Sequence, residues 1–240
     1  MWQKTAAALL AVLLAFTTAC ANIPQANDAN PARTVTDQAG RQVALPEEVE
    51  TVAMMFSIPT SLLLALGVGD RLLAVGATWG IQTLIEPSLE TVGTVGRGHL
   101  DREALAAYKP DVFIHKASDP ATLEAVETMG IPAVGITTET PEEVLAAITL
   151  LGEVFNRQDR AAELVAYYQS KIELANSIAA QIPAEERKTA IVMGSEIGKV
   201  AGGNMLQSFM IETAGGINCA KEVESQQPWP VVGTEKIFAW

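Results

Sequence analysis

The sequence predicts an α/β protein of two Rossmann-like lobes, each a parallel sheet flanked by helices, joined by one long helix, with the second lobe incomplete. Three observations carry that expectation. Short β-rich runs alternate with helical runs from Val35 onward, the rhythm of parallel strands covered by helices. One segment, Asp159 to Ile182, keeps apolar residues at three- and four-residue steps without Gly or Pro, which marks a single amphipathic helix. The motifs after that segment then repeat the order of those before it.

The chain opens MWQKTAAALLAVLLAFTTAC, with a single lysine, Lys4, ahead of an uncharged run from Ala6 to Phe16. A basic start, a short apolar core and a small-residue exit read as a secretory signal over residues 1–19, too short to span a bilayer. Thr17-Thr18-Ala19-Cys20 resembles a bacterial lipobox, although Thr17 stands where leucine is usual, and would make Cys20 the lipidated first residue. Ala19-Cys20-Ala21 also fits an A-x-A cleavage site, which would leave a soluble protein from Asn22. Residues 20–34 are polar, with Pro24 and Pro31, and read as a flexible tether. Export is expected either way, to the outer face of the cytoplasmic membrane through a lipid anchor, or to the periplasm.

Residues 35–158 form the expected first lobe. Val52–Phe56 reads as a strand and Thr60–Leu66 as a helix stopped by Gly67, with Leu72–Ala77 the next strand. Asp101 caps a short helix that Lys109-Pro110 ends; Asp111–His115 is a strand, Ala121–Met129 a helix, Ala133–Ile136 a strand and Pro141–Phe155 a helix. The long helix over 159–182 would reach about 36 Å at 1.5 Å per residue, and Pro183 ends it. It suits a rigid strut. Residues 183–240 form the second lobe, opening with a strand at Thr189–Met193.

There VAMMFS, ending at Ser57, is echoed by AIVMGS, ending at Ser195. LLLALGVGDRLLAV is echoed by FMIETAGGINCAKEV, and DREALAAY by GTEKIFAW, which places Glu103 on Glu235 and Tyr108 on Trp240. In the first half a strand follows that last motif; in the second the chain stops, so a cut just before a sheet strand is expected.

Bulk numbers exclude some functions. The 240 residues carry a formal charge of −12, which becomes −13 if cleavage before Cys20 removes Lys4. An acidic surface disfavours nucleic acid and anionic membranes as partners. With Cys20 lipidated, Cys219 has no partner and no disulfide framework exists. The two histidines, His99 and His115, fall in different segments and make a bare metal centre unexpected. No nucleophile elbow, phosphate loop or dinucleotide fingerprint is present, and GTVGRG has the wrong glycine spacing. An enzyme is therefore not expected, and no cofactor. A non-transport adhesion domain is the remaining rival.

The motifs carry a resemblance. TVTDQAGRQVALPEEVETVA, LLALGVGDRLLAVG, VGRGHLDREALAAYKPDVFI, LEAVETMGIPAVGI, AGGNMLQSFMIETAGGINCA and WPVVGTEKIFAW, in that order, resemble the substrate-binding lipoproteins of bacterial ABC importers for iron–siderophore complexes, haem and cobalamin, the helical-backbone, class III type. The resemblance implies two lobes bridged by a stiff helix, ligand held between them, and docking on a permease and its ATPase through one acidic residue per lobe. Glu235 falls on the second docking position, and Ser61 stands on the first, where serine forms no salt bridge. A monomer is expected. The expected ligand is a small-molecule metal chelate of the iron–siderophore type, with corrinoid or haem as the alternative.

Ligands of open parallel sheets lie beyond the carboxyl ends of the strands. Those loops contain Phe56, Ser57, Trp79, Arg97, Lys116, Glu196 and Trp229. Aromatic rings supply contact area, and Arg or Lys meets carboxylate or catecholate oxygens. Each has a plainer reading beside it: core packing for Trp79 and Trp229, a solvated surface charge for Arg97, Lys116 and Glu196.

Overall fold

A computed structural model describes residues 33–76, 86–223 and 229–240. The expected signal, most of the tether with Cys20, and Trp79 lie outside the described residues. The first described element is a hairpin that the sequence pattern did not announce. Strands β1 (Arg33–Thr36) and β2 (Gln42–Leu45) pair antiparallel from Arg33↔Leu45 to Thr36↔Gln42. β1 begins two residues inside the expected tether, because the Arg33 guanidinium donates to the carbonyls of Glu153 and Val154 as well as Pro46 and Glu47.

Asp37 at the hairpin turn has a fully buried carboxylate. It accepts from the backbone N–H of Ala39, Arg41 and Gly135 and from the Arg41 guanidinium at 2.7 and 2.9 Å. Burial of a charge is tolerable only when each lone pair is so occupied. The Gly135 bond pins the hairpin to the main sheet.

That sheet has five parallel strands in the order β5-β4-β3-β6-β7. The strands are β3 (Val52–Met54), β4 (Leu72–Val75), β5 (Gly93–Thr94), β6 (Val112–Lys116) and β7 (Ala133–Ile136). Helices α1 (Ser57–Ala65), α2 (Arg102–Tyr108), α3 (Pro120–Glu127) and α4 (Pro141–Val154) connect and cover them. Alternation along each strand sends Met54 and Ile114 into one core with Leu63, Ile136 and Ile148, and Ala53 and Phe113 into the other with Leu105 and Leu123. A sheet buried on both faces needs such nearly unbroken apolar runs.

The Asp101 cap read from the sequence is present, and the structure adds others. Asp101 and Asp119 cap α2 and α3, and Thr140 with Glu143 closes a capping box on α4. Lys109 ends α2 in the left-handed conformation at φ 49. α1 starts three residues earlier than expected, because Pro59 falls in its first turn, where a missing N–H costs nothing.

The long helix is α5 (Gln158–Ala179), 22 residues and so about 33 Å. Ala161 and Leu164 bury one end against the first core, and Ala179 is buried at the other beside Gly215. Between them Tyr168 and Ile178 of that face stay exposed, and Ile172 and Ala175 are only half-buried. The periodic apolar face read from sequence is therefore fully covered only at its ends. Among the described residues no helix is long and apolar enough to cross a membrane.

Beyond the strut, β8 (Thr189–Ala190) pairs parallel with β9 (Ile217–Asn218), with α6 (Leu206–Thr213) between them and α7 (Thr234–Ala239) last. The expected strand to Met193 shortens to two residues. Buried Asn218 donates to the carbonyl of Ala201 and accepts from the N–H of Ala220, which holds β9 to the loop ahead of α6. The Leu206 N–H donates to the carbonyl of Glu139 at 2.6 Å, a direct tie between the two halves.

Replacing Asp37 by Ala removes the buried counter-charge of Arg41, which keeps only Glu127 and the Ala133 carbonyl, and leaves the Gly135 N–H without its acceptor. The expected loss is roughly 3–5 kcal/mol of folding stability, read as a lower urea midpoint. A loss under about 1 kcal/mol would assign the hairpin no part in holding the sheet.

Candidate functional site

The sheet changes direction once. From β3 the chain steps outward to β4 and β5; it then crosses to the other side of β3 for β6 and β7. Ligand crevices in such sheets open beyond the carboxyl ends of the two strands at that reversal, here β3 and β6. Parallel pairing of Val52↔Val112 through Met54↔Ile114 sets the segments after these strands side by side.

Phe56 follows β3 and Lys116 ends β6, and the Lys116 ammonium lies 5.7 Å from the Phe56 ring centroid. This is a cation–π arrangement at a partly wet surface. On the other side His115 meets the same ring edge-on at 6.2 Å. A cavity of about 280 Å³ opens here, lined by Phe56, Ser57 and Ile58, by Lys116, and by Thr137 and Thr138 after β7. Two of its carboxylates differ in state. Glu143 is engaged by the N–H groups of Glu139 and Thr140, whereas the Glu139 side chain is exposed at the rim.

Arg97 lies at the same edge of the sheet but in a different hollow, of about 300 Å³, beyond β4 and β5. Gly76, Gly93 and Gly96 floor it, and a side chain at Gly93 would collide with the Tyr108 hydroxyl. Gly96 holds φ 122 and its backbone approaches the His99 carbonyl too closely for a Cβ. Arg97 is exposed and makes no hydrogen bond or ion pair among the described residues. Phe56 and Lys116 thus share a site, and Arg97 stands apart from them.

In the second half Trp229 is half-buried against Gly194, where an added Cβ would meet its ring at 3.5 Å. It packs on the turn that carries Glu196, so those two are neighbours. Glu196 itself is exposed and paired with Lys199 at 3.2 Å. Glu235 is exposed in the first turn of α7, where the helix dipole favours a carboxylate, and Ser61 is exposed on α1. Cys219 is half-buried. Among the described residues no cluster of three His, Cys, Asp or Glu could hold a metal ion.

Thr137 and Thr138 were not singled out from the sequence. The signal was available: TTET follows the apolar strand AVGI as directly as Lys116 follows VFIH. Hydroxyls in a threonine-rich loop simply carry less sequence contrast than a lysine or a ring.

His115 is only 8% exposed. Its Nε2 lies 2.9 Å from the Asp119 carboxylate, and its Nδ1 is buried without a partner. The His115 hydrogen bond, then that of Thr122, holds the Asp119 carboxyl below its ordinary 3.8. A carboxylate with a depressed folded pKa adds stability that is present above the unfolded value and lost as pH falls through the folded one. Asp119→Asn is therefore expected to melt below the parent at pH 7, with the gap closing progressively under pH 3.8. A gap independent of pH would assign the loss to the α3 cap alone.

Comparison with known proteins places this geometry. A molybdate-binding protein, MolA of Haemophilus influenzae, is 22% identical over 236 residues, covering 87% of this chain and 66% of its own length. A periplasmic solute binding protein of Veillonella parvula superposes with a TM-score of 0.69 at 27% identity, covering 87% of this chain and 65% of that one. A protein of an ABC-type Fe3+-hydroxamate transport system from Saccharomonospora viridis gives 0.69 at 26%, covering 88% and 77%. The chain spans about two thirds of MolA and 51% of a second curated relative, an ABC transporter substrate-binding lipoprotein of Bacillus subtilis. Residues 52–240 match the model of a family described as periplasmic binding protein. A parallel sheet open at its reversal, a stiff helix and a match over most of the described chain agree: the protein belongs to the periplasmic binding protein family.

Proposed function

We propose that this protein is the substrate-binding component of an ABC importer, which captures a ferric chelate of the siderophore type outside the cytoplasmic membrane and delivers it to the permease and its ATPase. The carrying observation is the Phe56–Lys116 pair at the reversal of the sheet, an aromatic face and an ammonium that forms no ion pair among the described residues, on one cavity wall. Aromatic surface and a cation suit a ligand that is partly apolar and bears anionic oxygens. The Fe3+-hydroxamate relative supports the cargo class. Arg97 would serve as a second cationic contact, with Ser57, Trp79, Glu196 and Trp229 completing the ligand surface. The protein binds and releases, and has no reaction of its own.

A second reading, a compact oxyanion such as molybdate, is favoured by the cavity's size of about 280 Å³ and by the MolA relative. Haem or corrinoid would enter by the same route. In either reading Cys20 would carry the lipid anchor, and Glu235 would face a basic group of the permease across an exposed helix end. The protein would act as a monomer, with no nucleic-acid partner.

Tryptophan fluorescence of the chain, titrated with ferric hydroxamate, ferric citrate, molybdate, haemin and cyanocobalamin, tests this. Quenching by a ferric chelate at submicromolar concentration is expected, and Lys116→Gln should weaken it more than tenfold, the ~1.5–3 kcal/mol of a hydrogen bond to a charged group. Silence with all five would return the chain to the adhesion class.

A further inference from the structure

Thr138 is only 6% exposed, yet its hydroxyl makes no hydrogen bond within the described chain. The residue lines the cavity, where a hydroxyl with no protein partner can donate to an oxygen of the ligand. Two further groups converge on that space. The amino end of the nine-residue helix α1 opens onto it through Ser57 and Ile58. Phe56, the cap position, supplies no side-chain acceptor, and the first turn holds no acidic residue. The positive pole of this helix is thus not neutralised by its own segment. Lys116 brings a full positive charge and forms no ion pair among the described residues.

We infer that Thr138, Lys116 and the amino end of α1 form an oxyanion subsite, which seats the charged oxygens of the ligand. This rests on the ligand-capture reading above and deepens it. Donors from three directions match an oxygen anion, whether it belongs to a chelator's carboxylate or hydroxamate or to a free tetrahedral oxyanion. Of the cavity's carboxylates, Glu143 is consumed by the backbone of its own cap. Glu139 alone opposes an anion, from the rim, and therefore fixes the sign of one test.

The full chain is titrated calorimetrically with molybdate, ferric citrate, ferric hydroxamate, haemin and cyanocobalamin, as the parent and as Thr138→Val, Thr138→Ser and Glu139→Gln. For whichever probe binds the parent, Thr138→Val is expected to weaken binding at least tenfold. Thr138→Ser, which keeps the hydroxyl, should stay within about threefold, and Glu139→Gln should tighten binding. Molybdate as the only binder would name the source a free oxyanion; ferric citrate or hydroxamate would name it a chelate. Equal affinity of Thr138→Val and parent overturns the subsite while ligand capture stands. No binding by the parent overturns both. A measurement on the parent alone guards against a misfolded variant: amide resonances of Ile58 and Thr138 should shift on titration with the bound probe, and unmoved resonances overturn the subsite.

Discussion

The parallel pairing of β3 with β6 is the constraint on which the rest depends. Its register, Val52 on Val112 through Met54 on Ile114, decides that the segments after the two strands emerge side by side at one edge. A slip of one residue would turn every side chain to the opposite face, sending Phe113 into the core that Ile114 fills. Phe56 and Lys116 meet because this register holds. The cavity between them follows from the crossover of the chain, since strands leaving β3 in opposite directions cannot close over that edge.

Two devices keep the edge in place. The buried Asp37 carboxylate joins the hairpin turn, the Arg41 guanidinium and β7 through hydrogen bonds on both of its oxygens. Arg41 also reaches Glu127 on α3 and the Ala133 carbonyl on β7. The hairpin is thereby a clamp across the end of the sheet, although it belongs to none of its strands. The second device is α5, buried at both ends and only partly covered between them. The Leu206–Glu139 bond ties the halves again beside the cavity that Glu139 lines.

The second half shows the opposite balance. β8 is exposed at both residues, and Ile197 is 83% and Phe238 90% exposed. A two-stranded sheet offers little surface for helices to cover. Order there comes from polar ties such as Asn218 and from Trp229 lying against the Gly194 turn.

The sequence by itself determined the kind and order of the elements. Apolar runs at Val112–Ile114 and Ala133–Ile136, the cap at Asp101, and the long period of α5 are local signals. Backbone sterics and helix-end hydrogen bonding make them readable without a partner. The same local logic placed Phe56 and Lys116 at strand ends. It missed the β1–β2 hairpin, whose alternation is only four residues per strand and whose Asp37 finds Gly135 98 positions away. It also grouped Arg97 with Lys116, whereas the strand order sets them in separate hollows. Only the tertiary structure could show that Thr138 lacks a hydrogen bond while nearly buried, because burial and satisfaction depend on residues far apart in the chain. A sequence fixes which groups a strand end carries; the crossover between strands decides which of those groups face one another.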